Sequence, residues 1–138
     1  MSPLKSEILP LRTDEDILLV RQTVRAWMVE LAFSMVEQTM MVTATSELAR
    51  NTVVYGGGGS ARLELLADSG RQGVQVTFED QGPGIADIEQ ALKDGYTTGV
   101  GLGLGLGGSK RLVNDFDIWS EVGKGTRVTI TKWTLSHP

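Results

Sequence analysis

Residues 34–59, SMVEQTMMVTATSELARNTVVYGGGG, decide the fold of this chain. Ser34 is a favourable N-cap, and Glu37 three residues later completes the pattern of a capping box. The apolar side chains that follow recur at helical spacing and include Val36, Met40, Met41, Ala44 and Leu48. The sequence therefore predicts a helix over residues 35–54, which the four glycines at 56–59 bring to an end.

The segments on both sides of this helix alternate between strand and helix patterns. Apolar and polar residues alternate in five stretches, which predicts strands at 6–12, 61–67, 74–80, 116–122 and 126–133. Helical spacing predicts further helices at 14–33, 87–93 and 106–115, the first of them capped by Thr13. This order predicts a two-layer α/β sandwich, with helices on one face of a mixed sheet and a single domain over residues 1–138.

The composition excludes several classes of function. The formal net charge is −4 and no dense stripe of lysine or arginine is present, so we expect no nucleic-acid partner. The absence of cysteine excludes thiol catalysis, cysteine metal sites and disulfides. No apolar segment approaches the ~18 residues of a membrane span and no signal peptide is apparent, which predicts a cytoplasmic protein without a membrane partner.

Glu47 and Asn51 lie four residues apart within the predicted helix and therefore share one of its faces. A carboxylate in such a place can take a proton from an attacking hydroxyl or water. An amide oxygen is a hard ligand of the kind that Mg²⁺ accepts. A solvated polar face is the alternative interpretation. The glycines that follow, and a second carboxylate downstream, favour a site.

That second carboxylate is Asp80, which stands at the end of a predicted strand in the motif Asp-Gln-Gly-Pro-Gly over residues 80–84. Glycines after a strand end let a ligand approach the backbone closely. A buried carboxylate there would accept a hydrogen bond from the exocyclic amine of adenine, where guanine carries an oxygen. An ordinary turn explains the same residues, and the motif alone favours the turn.

Glycine alternates with valine and leucine over residues 99–108, immediately before a predicted helix. Glycine-rich backbone next to a helix N-terminus presents N–H groups to an anion, and phosphates are its natural ligands. A flexible linker is the alternative interpretation, but linkers rarely alternate glycine with valine and leucine. The stretch does not follow a first strand, so we exclude a Rossmann site, and residues 123–126 have the wrong order for a Walker loop.

Together these motifs resemble the nucleotide site of the GHKL superfamily, which groups gyrase, Hsp90, histidine kinases and MutL and has the Bergerat ATP-binding fold. The four motifs are similar to the family's N box, its two glycine boxes and its last box, and they follow the family's order: 47–51, 80–84, 99–108 and 123–126. The details are closest to the small switch-protein kinases, which include anti-sigma factor kinases and the RsbT-type stressosome kinases. The stretches that carry this second likeness are 46–51, 79–85, the short lid at 94–98 and 110–112.

The resemblance implies a role for each matching residue. Asn51 would ligate Mg²⁺, Glu47 would be the general base, and Asp80 would bind the adenine amine with support from the Thr126 hydroxyl. The remaining implied residues are Gly82, Gly84 and Ile85 around the purine, and Gly101, Gly103 and Gly105 at the phosphates.

The function that the resemblance implies is a protein serine/threonine kinase that uses Mg²⁺ and ATP. It would phosphorylate a serine or threonine of a STAS-domain partner, switch partners in a stress-response pathway and activate a PP2C-type phosphatase. The alternative is an anti-sigma factor or another nucleotide-dependent module that sequesters its target. A degenerate domain that binds ATP without turnover is a third interpretation, which the intact motifs disfavour.

Overall fold

The computed structural model describes residues 2–93 and 105–134 of the chain. Within these ranges it contains five strands, two long helices and two short ones. In chain order they are β1 (Lys5–Leu11), α1 (Asp14–Glu30), α2 (Met35–Val54), β2 (Gly59–Asp68), β3 (Arg71–Asp80), α3 (Ile88–Ala91), α4 (Gly105–Arg111), β4 (Asp115–Glu121) and β5 (Gly125–Trp133).

Both long helices begin at the caps that the sequence predicts. The Asp16 N–H donates to Thr13 Oγ1 at 3.2 Å and the Thr13 N–H donates to Asp16 Oδ2 at 3.2 Å, which is a complete capping box. The Glu37 N–H donates to Ser34 Oγ at 3.1 Å at the start of α2. These local bonds set where each helix begins, and therefore which α2 side chains face the sheet.

The five strands form one sheet in the order β1-β2-β3-β5-β4. The α/β fold class and the helix-covered sheet are confirmed, but the prediction of a mixed sheet is wrong because all four neighbouring pairs are antiparallel. Two helices connect β1 to β2 and bring the chain back to the end where β1 finished. The strands β3 and β4 run in the same direction, but β5 lies between them, so no parallel pair forms.

The core lies between the helices and one face of the sheet. Fully buried apolar side chains from both layers meet there, and they include Val20, Val24, Met28, Met41, Leu63, Val74, Val76 and Ile130. The opposite face of the sheet is mostly polar and carries hydroxyl pairs such as Thr77 and Thr129, whose Oγ1 atoms lie 3.2 Å apart. The one-sided core explains why each strand alternates in sequence.

Helix α4 is shorter than the predicted helix over 106–115, because two bonds to β5 end it early. Lys132 Nζ donates to the Leu112 carbonyl at 3.1 Å, and the Asn114 N–H donates to the Thr131 carbonyl at 3.0 Å. The second bond leads the chain directly into β4. The two bonds hold the C-terminal end of α4 beside the last residues of β5.

Among the helices of the described ranges, none combines the length and the apolar character that a membrane crossing requires. The cytoplasmic location and the single domain over residues 1–138 stay predictions.

Candidate functional site

A cavity of about 120 Å³ opens between α2, the ends of β3 and β5, and the first turn of α4. It brings together most of the residues that the sequence predicts for a site: Glu47, Asn51, Asp80, Gly84, Ile85, Gly105 and Thr126. These residues come from five separate segments of the chain. Gly82 does not line the cavity, and Gly101 and Gly103 lie outside the described residues.

The inner walls of the cavity are apolar. Leu48 from α2, Phe78 from β3, Leu106 from α4 and Val128 from β5 are all buried and line it, while the partly buried Ile85 closes one side. A whole ligand usually fills a pocket of roughly 300–1,000 Å³, so this space suits one part of a ligand. Its apolar walls favour a flat aromatic ring with a polar edge.

Asp80 supplies a polar edge at the last position of β3. Its Oδ1 accepts the Gly82 N–H at 2.8 Å, which holds the carboxylate in one orientation. Among the described residues, no lysine or arginine forms an ion pair with Asp80. The other carboxylate oxygen therefore retains its capacity to accept a hydrogen bond from a ligand.

Glycines 56 and 82 form the support of this carboxylate. A Cβ on Gly56 would lie 2.5 Å from both Cγ and Oδ2 of Asp80, and a Cβ on Gly82 would lie 2.7 Å from the Gly56 carbonyl oxygen. The backbone therefore packs directly against the carboxylate. This packing gives Gly82 a supporting place behind Asp80. The role that the resemblance implies for Gly82, making room for the purine, stays a prediction.

Replacing Gly56 by alanine tests this support. We expect Gly56→Ala to displace the Asp80 carboxylate and to weaken ATP binding by about tenfold or more, because a charge-assisted bond to the ligand would be misaligned. Isothermal titration calorimetry with ATP measures the change. Gly57→Ala is the matched control, since nothing lies within 4 Å of its Cβ position. Its φ of +75° strains the variant by about 1–2 kcal/mol, which should lower Tm without changing ATP affinity. Equal affinities of wild type and Gly56→Ala would contradict the prediction.

Glu47 and Asn51 lie on α2 at the polar side of the cavity. Both are partly exposed, and among the described residues neither side chain has a hydrogen-bond partner. Their spacing places them on the same helix face, one turn apart. A carboxylate and an amide that the protein leaves unpaired beside a cavity are available for a ligand or a reaction.

Gly84 joins the loop after β3 to the turn between β4 and β5. It has a φ of +79°, and a Cβ there would lie 2.2 Å from the Glu121 carbonyl oxygen. Only glycine fits both the backbone conformation and the close approach. Gly84 therefore fixes one wall of the cavity, and its lack of a side chain keeps the loop near the hairpin.

Ser120 is a polar residue near the site that the sequence analysis missed. In the strand register it stands opposite Thr126, and Thr126 stands opposite Asp80, so the three residues form a row across β4, β5 and β3. A signal for it exists in the sequence. Phe116, Ile118 and Ser120 occupy alternate positions of one strand, which places a hydroxyl where the pattern calls for an apolar residue.

The comparison with protein families identifies the class. The model of the histidine kinase-, DNA gyrase B-, and HSP90-like ATPases matches residues 36–136, and the chain belongs to this family.

Individual relatives narrow the class further. The chain is 46% identical over 121 residues to the serine/threonine-protein kinase RsbT of Bacillus subtilis (strain 168), a match that covers 88% of this chain and 91% of that protein. It is 32% identical over 120 residues to the anti-sigma F factor of Geobacillus sp. (strain WCH70), covering 82% of this chain and 81% of that protein. The prediction of an ATP-dependent protein serine/threonine kinase is confirmed by the family and the first relative.

Solved structures confirm the fold. The crystal structure of the RsbU and RsbW domains of Rv1364c from Mycobacterium tuberculosis superposes with a TM-score of 0.65 and 23% identity, covering 99% of this chain and 34% of that one. The mycobacterial sensor histidine kinase MprB superposes with a TM-score of 0.55 and 15% identity, covering 96% of this chain and 100% of that one.

Proposed function

We propose that the cavity holds the adenine of ATP, with the exocyclic amine on the free oxygen of Asp80. The observation that carries this proposal is one shared cavity. An acceptor-only carboxylate held by the Gly82 N–H lies among apolar walls, and the polar pair Glu47 and Asn51 lies at its edge. The ring packs against apolar side chains, and the phosphates extend toward Gly105 at the start of α4. The contacts of Gly101 and Gly103 with phosphates stay predictions.

Asn51 fits the place of a magnesium ligand. Its side-chain amide has no partner among the described residues, and those residues hold no group of three or more acidic or histidine side chains that could hold a metal alone. Mg²⁺ is commonly bound through one or two protein groups together with substrate phosphates. Bound there, the ion would neutralise charge on the phosphates. Asn51 would position it.

Glu47 is the general base of the proposed reaction. Its carboxylate is half-buried, lies one helical turn before Asn51 and has no competing protein donor among the described residues. It accepts the proton of the attacking serine or threonine hydroxyl as the oxygen bonds to the γ-phosphorus and the bond to ADP breaks. The remaining catalysis comes from positioning the two substrates.

The substrate of the kinase is a serine or threonine on a STAS-domain partner, and the chain also activates a PP2C-type phosphatase. Support for a partner-switching kinase comes from the high identity to the RsbT kinase over nearly the full length of both chains. The phosphatase is tested by pull-down with a PP2C-type protein of the same organism, with and without ATP. Absence of binding in both conditions would contradict this part of the proposal.

Sequestration of a sigma factor is the second candidate function. The 32% identity to an anti-sigma F factor over 81% of that protein favours it. Pull-down of the organism's sigma factors with ATP or ADP separates the candidates. Capture of a sigma factor in a nucleotide-dependent way would favour sequestration, whereas capture of a phosphatase alone would favour the kinase that switches partners.

A further inference from the structure

The hydroxyl of Ser120 joins two walls of the cavity without lining it. Its Oγ accepts the Ile85 N–H at 2.7 Å and lies 3.0 Å from the Gly125 carbonyl oxygen and 2.8 Å from Thr126 Oγ1, so either of these two oxygens can accept its proton. Ile85 and Thr126 both line the cavity, but Ser120 does not. One hydroxyl therefore connects the loop after β3 with the start of β5.

The strand itself does not require a hydroxyl at this position. The alternate residues before it, Phe116 and Ile118, pack against the core, and Ser120 continues their row. A half-buried hydroxyl in such a row loses hydration, and only its hydrogen bonds offset that loss. All three of its partners belong to segments that shape the cavity.

The protons of these groups constrain one another. A serine or threonine hydroxyl has one proton and two lone pairs, a backbone N–H only donates, and a carbonyl only accepts. The Ser120 proton goes either to Gly125 or to Thr126. When Ser120 donates to Gly125, Thr126 donates to Ser120 and presents only lone pairs to the cavity. When Ser120 donates to Thr126, the Thr126 proton is free for a ligand in the cavity. The hydrogen-bonding capacity of Thr126 therefore depends on Ser120.

We propose that Ser120 is a positioning residue that sets adenine specificity through Thr126 and Ile85. The inference rests on the proposed ATP site. Thr126 stands opposite Asp80 in the sheet, so the two residues present one edge to the base. The adenine edge carries an amine beside a ring nitrogen that accepts. Asp80 matches the amine. Thr126 matches the ring nitrogen when Ser120 donates its proton to Thr126, because the Thr126 proton is then free for the base.

The test measures affinities for ATP and inosine triphosphate, whose base carries an oxygen in place of the amine. We expect Ser120→Ala to weaken ATP binding by about tenfold, because Ser120 then no longer holds the Thr126 hydroxyl in the orientation that donates to the base. Binding of inosine triphosphate should change by less than about twofold. Ser120→Thr keeps the hydroxyl and should restore the preference for ATP. A general loss of structure would weaken both nucleotides together, and that result would overturn the proposal.

Two further measurements separate an effect through Thr126 and Ile85 from a general effect on the sheet. Thr129→Val is the matched control, because it removes a hydroxyl pair from the neighbouring strand β5 at the opposite face of the sheet, and it should leave both affinities unchanged. Without nucleotide, amide hydrogen exchange at Ile85 should accelerate in Ser120→Ala and return to the wild-type rate in Ser120→Thr. Unchanged exchange with unchanged ATP affinity would overturn the inference alone. Failure of the wild type to bind ATP would instead overturn the ATP site itself.

Discussion

Asp80→Asn should abolish measurable ATP binding. The Gly82 N–H bonds Oδ1 at 2.8 Å, so an asparagine would keep its oxygen on Gly82 and turn its amide NH₂ toward the base. A donor would then face the adenine amine, which is also a donor. Loss of a charge-assisted bond and an unpaired polar group together cost about 3–5 kcal/mol, which lowers affinity by roughly two to four orders of magnitude. Calorimetric titration with ATP measures the loss.

Glu79→Gln is the control for this variant. It neutralises the carboxylate next to Asp80 in the sequence. The Glu79 carboxylate is exposed on the opposite face of the sheet from Asp80 and lies 3.8 Å from the Arg127 guanidinium. The ATP affinity of Glu79→Gln should match that of the wild type. An Asp80→Asn variant that binds ATP as tightly as Glu79→Gln would contradict the proposed base site.

Glu47→Ala should keep ATP binding and lose phosphotransfer. A positioned general base contributes about 10²- to 10⁴-fold in rate, and the rate should fall by that factor. Because Asp80 and the apolar walls remain, the dissociation constant of ATP should change by less than about threefold. Single-turnover transfer with saturating Mg-ATP isolates the chemical step from binding.

Glu47→Gln is the isosteric comparison. It keeps the size and the position of the side chain but cannot accept the proton as a carboxylate does. Its transfer rate should be as low as that of Glu47→Ala. Transfer at the wild-type rate by Glu47→Gln would show that Glu47 only positions the substrates and does not act as the base.

Local patterns in the sequence predicted most of the elements. The caps at Thr13 and Ser34 use hydrogen bonds between residues three apart, so the starts of both long helices are encoded within a few positions. The relative direction of neighbouring strands is not encoded within a few positions. It depends on β5 entering the sheet between β3 and β4, which alternation within a strand does not reveal. The mixed sheet was predicted for that reason.

In the candidate site as well, local sequence patterns reveal some residues, whereas contacts between distant segments determine others. Glu47 and Asn51 were found because helical spacing alone puts them together, and Asp80 was found because glycines follow it. Ser120 was missed because its three partners come from the loop after β3 and from β5. The supporting place of Gly82 likewise follows from its approach to Gly56, a contact across 26 positions of the chain that sequence spacing does not show.

The measurement that tests the central claim most directly is transfer of labelled γ-phosphate from Mg-ATP to a STAS-domain protein of the same organism. Mass spectrometry then locates the label. Wild type should place it on a serine or threonine of the STAS-domain protein, and Glu47→Gln should place none under the same conditions. Absence of transfer by a wild-type protein that binds ATP would contradict the proposed kinase reaction on a STAS-domain partner.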